Sequence, residues 1–187
     1  MKALTFALRG QAYGLPIEPV REIIGLGEVT PVPMMPAYLR GVMNLRGSVV
    51  PVIDLAARLA LGPAQDSERS CILIVECLAD DGMHLVGVLV DAVQEVLRFE
   101  ASALAAAPSF GTRVAPAFIA GLLPAGLGAA GGAAGVAAGV AAGVAPGGVA
   151  SGAADGVGTP SLVLLAPERV LSLPELEDDV GACAMPA

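Results

Sequence analysis

The sequence predicts an all-β chain assembled from many short strands. Three observations carry that expectation. Short runs rich in Val, Ile and Leu recur along the chain, each too brief for a typical helix. The 24 glycines and 15 prolines cut between these runs. Turn dipeptides ending in glycine (Arg9-Gly10, Arg46-Gly47 and Asp81-Gly82) stand between neighbouring runs, where glycine supplies the positive φ that tight hairpins require. Such a pattern means a barrel or a sandwich.

Residues 3–8 and 12–17 read as two strands joined by Arg9-Gly10-Gln11. Residues 18–24 fit either one helical turn or a bent strand, with Pro19 fixing φ at the start. Residues 28–32 read as another short strand, interrupted by Pro31 and ended by Pro33, and Pro36 opens a single turn over residues 37–40. The next stretch is locally consistent at every step. Residues 41–45 form a strand, Arg46-Gly47 a turn, and residues 48–53 a second, β-branched strand. Pro51 lacks a backbone donor, which places it at a sheet edge or a bend. Asp54 suits the N-cap of a helix over residues 55–61, about two turns long and stopped by Gly62-Pro63.

Residues 63–70 are a polar connector and the expected seam between two halves. Residues 71–78 are an almost unbroken apolar run, and Asp80-Asp81-Gly82 turns it into a hairpin with residues 83–90. Asp91 and Glu95 interrupt the following strand-like stretch and are expected to face water or a partner. Residues 103–107 read as a helical turn ended by Pro108. Residues 116–123 and 161–165 are the last strands, and 167–171 a short helix stopped by Pro174.

Composition removes several function classes. The 187 residues carry a net charge of −8, with one lysine, so nothing attracts a phosphate backbone and nucleic acid is not an expected partner. Half of that charge comes from Glu175, Glu177, Asp178 and Asp179 in an acidic tail (residues 175–187). With Trp absent and aromatics at 3%, the core must be aliphatic. Cys71 and Cys77 share one strand and cannot be bridged along it, and with Cys183 they fit a reducing cytoplasm. The apolar run after Lys2 ends at Arg9, too short for a signal peptide.

Catalysis is poorly supplied. His84 is the only histidine and falls in a hairpin strand, and with Cys71 and Cys77 it lacks zinc-site spacing. Gly25-Leu26-Gly27 lacks the third glycine of a dinucleotide loop, and there is no phosphate-loop motif. The expectation is a non-enzyme without metal or cofactor.

The run Pro36-Ala37-Tyr38-Leu39-Arg40-Gly41-Val42-Met43-Asn44-Leu45-Arg46-Gly47, followed by Val50-Pro51-Val52-Ile53-Asp54-Leu55, resembles the signature of the CheW family, the adaptors of bacterial chemosensory arrays. Val20-Arg21-Glu22-Ile23 and residues 85–97 resemble further family segments. The likeness covers residues 4–123 and resumes at 161–171. It implies two SH3-like five-stranded β-barrels packed side by side within residues 1–174. Barrel one would span about residues 12–65, and barrel two about 66–171 with the N-terminal strand 3–8 completing it.

The resemblance also implies a site. Arg46 matches an arginine at the receptor-binding groove between the barrels, and Glu22 matches a position near it, so the two are expected to approach one another. Val20 and Ile23 match apolar positions that either line the interface or pack in the core. Gly41, Asn44, Leu45, Gly47, Pro51 and Asp54 are framework. The implied function is to couple the cytoplasmic tip of a chemoreceptor to the regulatory domain of the histidine kinase CheA. An adaptor controlling pili or gene expression is the alternative within the family.

Residues 125–158 stand apart, with Gly131, Gly135, Gly139, Gly143 and Gly147 at period four. Small-xxx-small spacing admits a membrane helix over residues 125–145, just long enough for a bilayer of about 30 Å, and hence a membrane-anchored protein. Against it, alanine and glycine contribute little transfer energy, and no aromatic belt or basic flank is present. A low-complexity loop and a transient helix over the barrel are the other readings. In the family a short turn stands here. Stretching it by roughly thirty residues adds little closure entropy, because that entropy grows only logarithmically.

Overall fold

The computed structural model describes residues 1–79, 82–106, 113–124 and 162–172. In chain order the strands are β1 (Lys2–Leu8), β2 (Gln11–Pro16), β3 (Val20–Gly25), β4 (Leu39–Leu45) and β5 (Ser48–Asp54), then β6 (Cys71–Ala79), β7 (Gly82–Val90), β8 (Ala92–Arg98), β9 (Ile119–Leu123) and β10 (Leu162–Leu165). Two one-turn helices follow β5 and β10: α1 (Leu55–Arg58) and α2 (Pro167–Val170). The strands make two five-stranded sheets, ordered β3-β6-β7-β5-β4 and β8-β1-β2-β10-β9. Each is mixed, because β5 runs parallel to β7 and β10 parallel to β2.

Both sheets close on themselves by one device. Beyond β3 the chain returns at Thr30, which exchanges two 2.8 Å backbone hydrogen bonds with Val42 on the opposite edge strand, β4. Beyond β8 it returns at Ala105, which bonds twice to Leu122 of β9. Closure brings backbone against backbone. A Cβ on Gly41, whose φ is +145°, would lie 2.1 Å from the Thr30 carbonyl oxygen. Only glycine fits there.

Three cores result. One lies inside the first sheet (Met43, Val50, Val52, Ile72, Ile74, Leu89) and one inside the second (Ala3, Phe99, Leu123, Leu162, Leu164). The largest lies between the sheets, where Phe6, Tyr13 and Leu15 meet Ile53, Leu73 and Val88. Strands β6 and β10 contribute alternately to an inner core and to the shared one. Burial on both faces explains why they read as unbroken apolar runs.

Arg58 helps fasten the halves. Its guanidinium lies 4.4 Å from the Tyr38 ring centroid and 5.5 Å from that of Phe118, and it donates to the carbonyls of Val170 and Ser172. It thereby ties α1 of the first sheet to the end of the second.

Of the two conformations expected for residues 18–24, the chain takes the bent strand, β3, with a bulge between Val20 and Glu22. Several other sequence expectations need correction. Residues 28–32 form only the single bridge at Thr30 rather than a strand. The turn at 37–40 is shorter than expected, since β4 already begins at Leu39. Pro51 sits in an interior strand, opposite Val42 and one residue before the parallel ladder starts at Val52, so its missing N–H falls outside that ladder. Asp54 does cap α1, accepting from the Ala57 N–H at 3.0 Å, and it also accepts from Ala64 N–H at 2.8 Å.

That helix is one turn, not two. Ala60 takes φ +59°, Ala60 N–H returns to the Ala57 carbonyl, and Leu61 N–H returns to Ala56. This is a Schellman stop with alanine where glycine is usual, and it acts before Gly62-Pro63. Residues 101–103 form the 3-10 turn expected slightly later. The 65/66 boundary between barrels also fails. Residues 63–70 connect α1 to β6 within one sheet, and β2 belongs to the second sheet. The chain changes sheets at residues 17–19 and at Asp91, because parallel pairing of β5 with β7 keeps the 71–90 hairpin in the first sheet. Residues 125–158, the tail 175–187 and Cys183 lie outside the described residues.

Candidate functional site

Arg46 owes its position to a two-residue turn. Leu45 pairs with Ser48, leaving Arg46 and Gly47 as the loop, with φ of +52° and +93°. Positive φ at both central residues is the type I′ turn whose twist matches the flanking strands. The sequence reading assigned that conformation to glycine alone; the arginine adopts it too. The Asn44 side-chain oxygen accepts from Gly47 N–H at 2.8 Å and holds the turn.

From there Arg46 Nη2 donates to Glu22 Oε2 at 2.7 Å. Because β3 and β4 are the two edges of the first sheet, this ion pair spans the seam between them. The Arg46 side chain is 80% exposed and that of Glu22 26%. In such surroundings the pair contributes about 0–1 kcal/mol to stability, so its effect is on orientation. Glu22 stands opposite Ile74, a residue of the core inside the first sheet.

A second pair, Arg21 with Glu76, lies alongside. The hydrogen bond to Glu76, and then its charge, raises the Arg21 pKa further above its ordinary value. Together the four charges rim a depression of about 350 Å³ that Leu45, Ile74 and Leu85 also line. The depression thus carries two pairs of opposite charge around an apolar floor.

Of the expected interface residues, Glu22 and Arg46 meet here, whereas Val20 and Ile23 do not. The β3 bulge turns Arg21 outward and puts Val20 and Ile23 opposite Val75 and Leu73, residues of the core between the sheets. Val20 packs against that core, and Ile23 is 45% exposed at the sheet edge. The depression is lined by the first sheet alone rather than by both halves. Sequence reasoning missed Arg21 and Glu76. Glu76 is the only charged residue within the apolar run 71–78, and that was the available signal.

Other groups are chemically quiet. Cys71 and Cys77 are free, and burial pushes the Cys77 thiol up to about 11, which leaves it protonated at neutral pH. Among the described residues no group of His, Cys, Asp and Glu could hold a metal, and no helix is long and apolar enough to cross a membrane.

The molecule is thus two closed sheets around a shared core, with an exposed charge-rimmed depression on the first. The CheW-like domain family matches residues 2–128, and the chain belongs to that family of chemotaxis scaffold proteins. It is 34% identical over 119 residues to a chemotaxis protein CheW of Klebsiella aerogenes, covering 64% of this chain and 69% of the relative. It is 37% identical over 120 residues to a probable CheW of Rhizobium etli, covering 64% and 75%. The crystal structure of scaffolding protein TtCheW from Thermoanaerobacter tengcongensis superposes with a TM-score of 0.67 at 25% identity, covering 92% of this chain and 88% of that one.

Proposed function

We propose that this scaffold couples the cytoplasmic tip of a chemoreceptor to the regulatory domain of the histidine kinase CheA, at arrays on the inner face of the membrane. The observation that carries the reading is the Arg46–Glu22 pair: an exposed guanidinium held on a rigid I′ turn across the seam of a closed sheet. The depression beside it receives the receptor, with Arg21 and Glu76 extending the charged rim. A separate surface engages the kinase. One stiff body with two modest interfaces raises the local concentration of kinase at the receptor. It can also transmit a change in receptor packing as a coupling free energy, about 1–3 kcal/mol in such systems.

The test is reconstitution with receptor and kinase. Adding the protein should change kinase autophosphorylation, and Arg46→Glu should weaken receptor binding by about thirtyfold or more, as for a central interface arginine, while the thermal midpoint scarcely moves. Equal loss of binding and of folding would reduce Arg46 to a structural residue and remove the support for this reading.

A further inference from the structure

The end of the first sheet at the Arg46-Gly47 turn carries an apolar surface that its own core does not use. Alternate residues of a strand share a face. Along the β6–β7 hairpin one face reads Ile72 opposite Leu89, Ile74 opposite Gly87, Glu76 opposite Leu85 and Leu78 opposite Met83. The first rows are buried: Ile72, Ile74 and Leu89 belong to the core inside the sheet, and Leu85 packs against it. The last row emerges. Leu78 is 80% exposed and Met83 59%, so two large apolar side chains stand directly opposed in water. Side chains opposed in this way touch and form one patch. It continues the floor that Leu45, Ile74 and Leu85 give the depression.

The rim sets what can enter. Each guanidinium there is already matched, Arg21 to Glu76 and Arg46 to Glu22, so the four charges sum to zero. A charged group from a partner would lose its water and compete with pairs already formed, gaining little. An apolar side chain gains by covering Leu45, Leu85 and the Leu78–Met83 row. The ion pairs around it then exclude water from the contact, as the periphery does around binding hot spots. The volume of about 350 Å³ admits a leucine, methionine or phenylalanine side chain.

We propose that this end of the first sheet is a socket for a bulky apolar side chain of the receptor tip, with the Leu78–Met83 row as its lip and the two ion pairs as a neutral collar. The choice of the receptor as partner rests on the function proposed above; the apolar chemistry of the socket rests on these residues alone. Arg21 and Glu76 are thereby specificity-determining residues, since changing the charge of either one leaves the collar charged.

The test measures binding of a receptor cytoplasmic fragment to the full chain, beside kinase binding and the thermal midpoint. Leu78→Ser with Met83→Ser removes the lip at exposed positions and should weaken receptor binding about tenfold or more, with kinase binding and the midpoint in place. Arg21→Glu should weaken receptor binding too, and the inverted pair (Arg21→Glu with Glu76→Arg) should restore it to within about threefold of the parent, because the collar is neutral again. Unchanged receptor binding in the lip variant, or an inverted pair that binds no better than Arg21→Glu, would overturn the socket while the receptor reading stood on Arg46→Glu. Loss of kinase binding from the lip variant, with receptor binding kept, would overturn the occupant. A parent protein that bound no receptor would sink the receptor reading itself, and the occupant with it.

Discussion

In the first sheet Thr30 closes onto Val42 with Gly41 beside the contact; in the second Ala105 closes onto Leu122 with Gly121 in the same place. The likeness goes further. β5 runs parallel to β7 past Gly87, β10 runs parallel to β2 past Gly14, and each of these strands is followed by a one-turn helix. The differences fall at the connections. Between β4 and β5 stands the two-residue Arg46-Gly47 turn, tied across the seam to Glu22, whereas residues 124–161 connect the corresponding β9 and β10. A second Leu-Arg-Gly sequence, Leu8-Arg9-Gly10, makes the same kind of turn, with both central φ positive, between β1 and β2. There Asp91 holds the arginine's backbone and leaves the guanidinium without an ion-pair partner among the described residues. Closure therefore constrains the strands and their glycines, and leaves the turns to acquire separate roles. The tripeptide fixes a backbone shape; the residue across from it decides what the arginine does.

The sharpest way to break the comparison is at the closing glycines. Gly41→Ala puts a Cβ into the Thr30 carbonyl at positive φ and should cost more than about 3 kcal/mol, or abolish folding, in urea unfolding. Gly121→Ala meets the movable Leu104 side chain at 2.6 Å and the Ala105 carbonyl at 2.8 Å, and should cost less, about 1–3 kcal/mol. Equal costs would show that the two closures are mechanically alike.

Next come the two arginines. In a receptor-binding titration Arg46→Glu should lose about 2 kcal/mol of affinity, and Arg9→Glu should leave affinity unchanged. Loss from both would move the receptor surface to a place that touches each turn. The groups holding the turns differ by less. Asp91→Ala removes a charge-assisted acceptor and should cost about 1–2 kcal/mol, against about 0.5–1 for Asn44→Ala on an exposed turn. The smallest effect belongs to the ion pair itself. A double-mutant cycle between Arg46 and Glu22 should give a stability coupling of about 0–1 kcal/mol.

Much of this architecture was legible locally. The strands expected at 3–8, 48–53 and 71–78, each found within a residue of its observed bounds, and the Asp54 cap followed from side-chain pattern and turn chemistry, because each is decided by its own few residues. The Arg46–Glu22 meeting came from family resemblance, not from spacing. What stayed hidden was set by distant neighbours. Nothing near residues 71–90 reports that this hairpin pairs with β5, so the boundary between halves was misplaced. Ala60 gives no warning that it will take positive φ and end α1 early. Asp91 read as an interruption facing water or a partner, yet it serves a turn some eighty residues earlier in the chain.

The order of assembly follows from where the strands lie in the chain. The first sheet is built wholly from residues 20–90, so it can form as soon as that stretch has left the ribosome. The second sheet needs residues 2–16 to find 162–165, its first strands against its last, and must wait for nearly the whole chain. During that interval the outer surface of the finished sheet, with Leu73, Val75 and Val88 uncovered, is the part of the nascent protein most exposed to unwanted association.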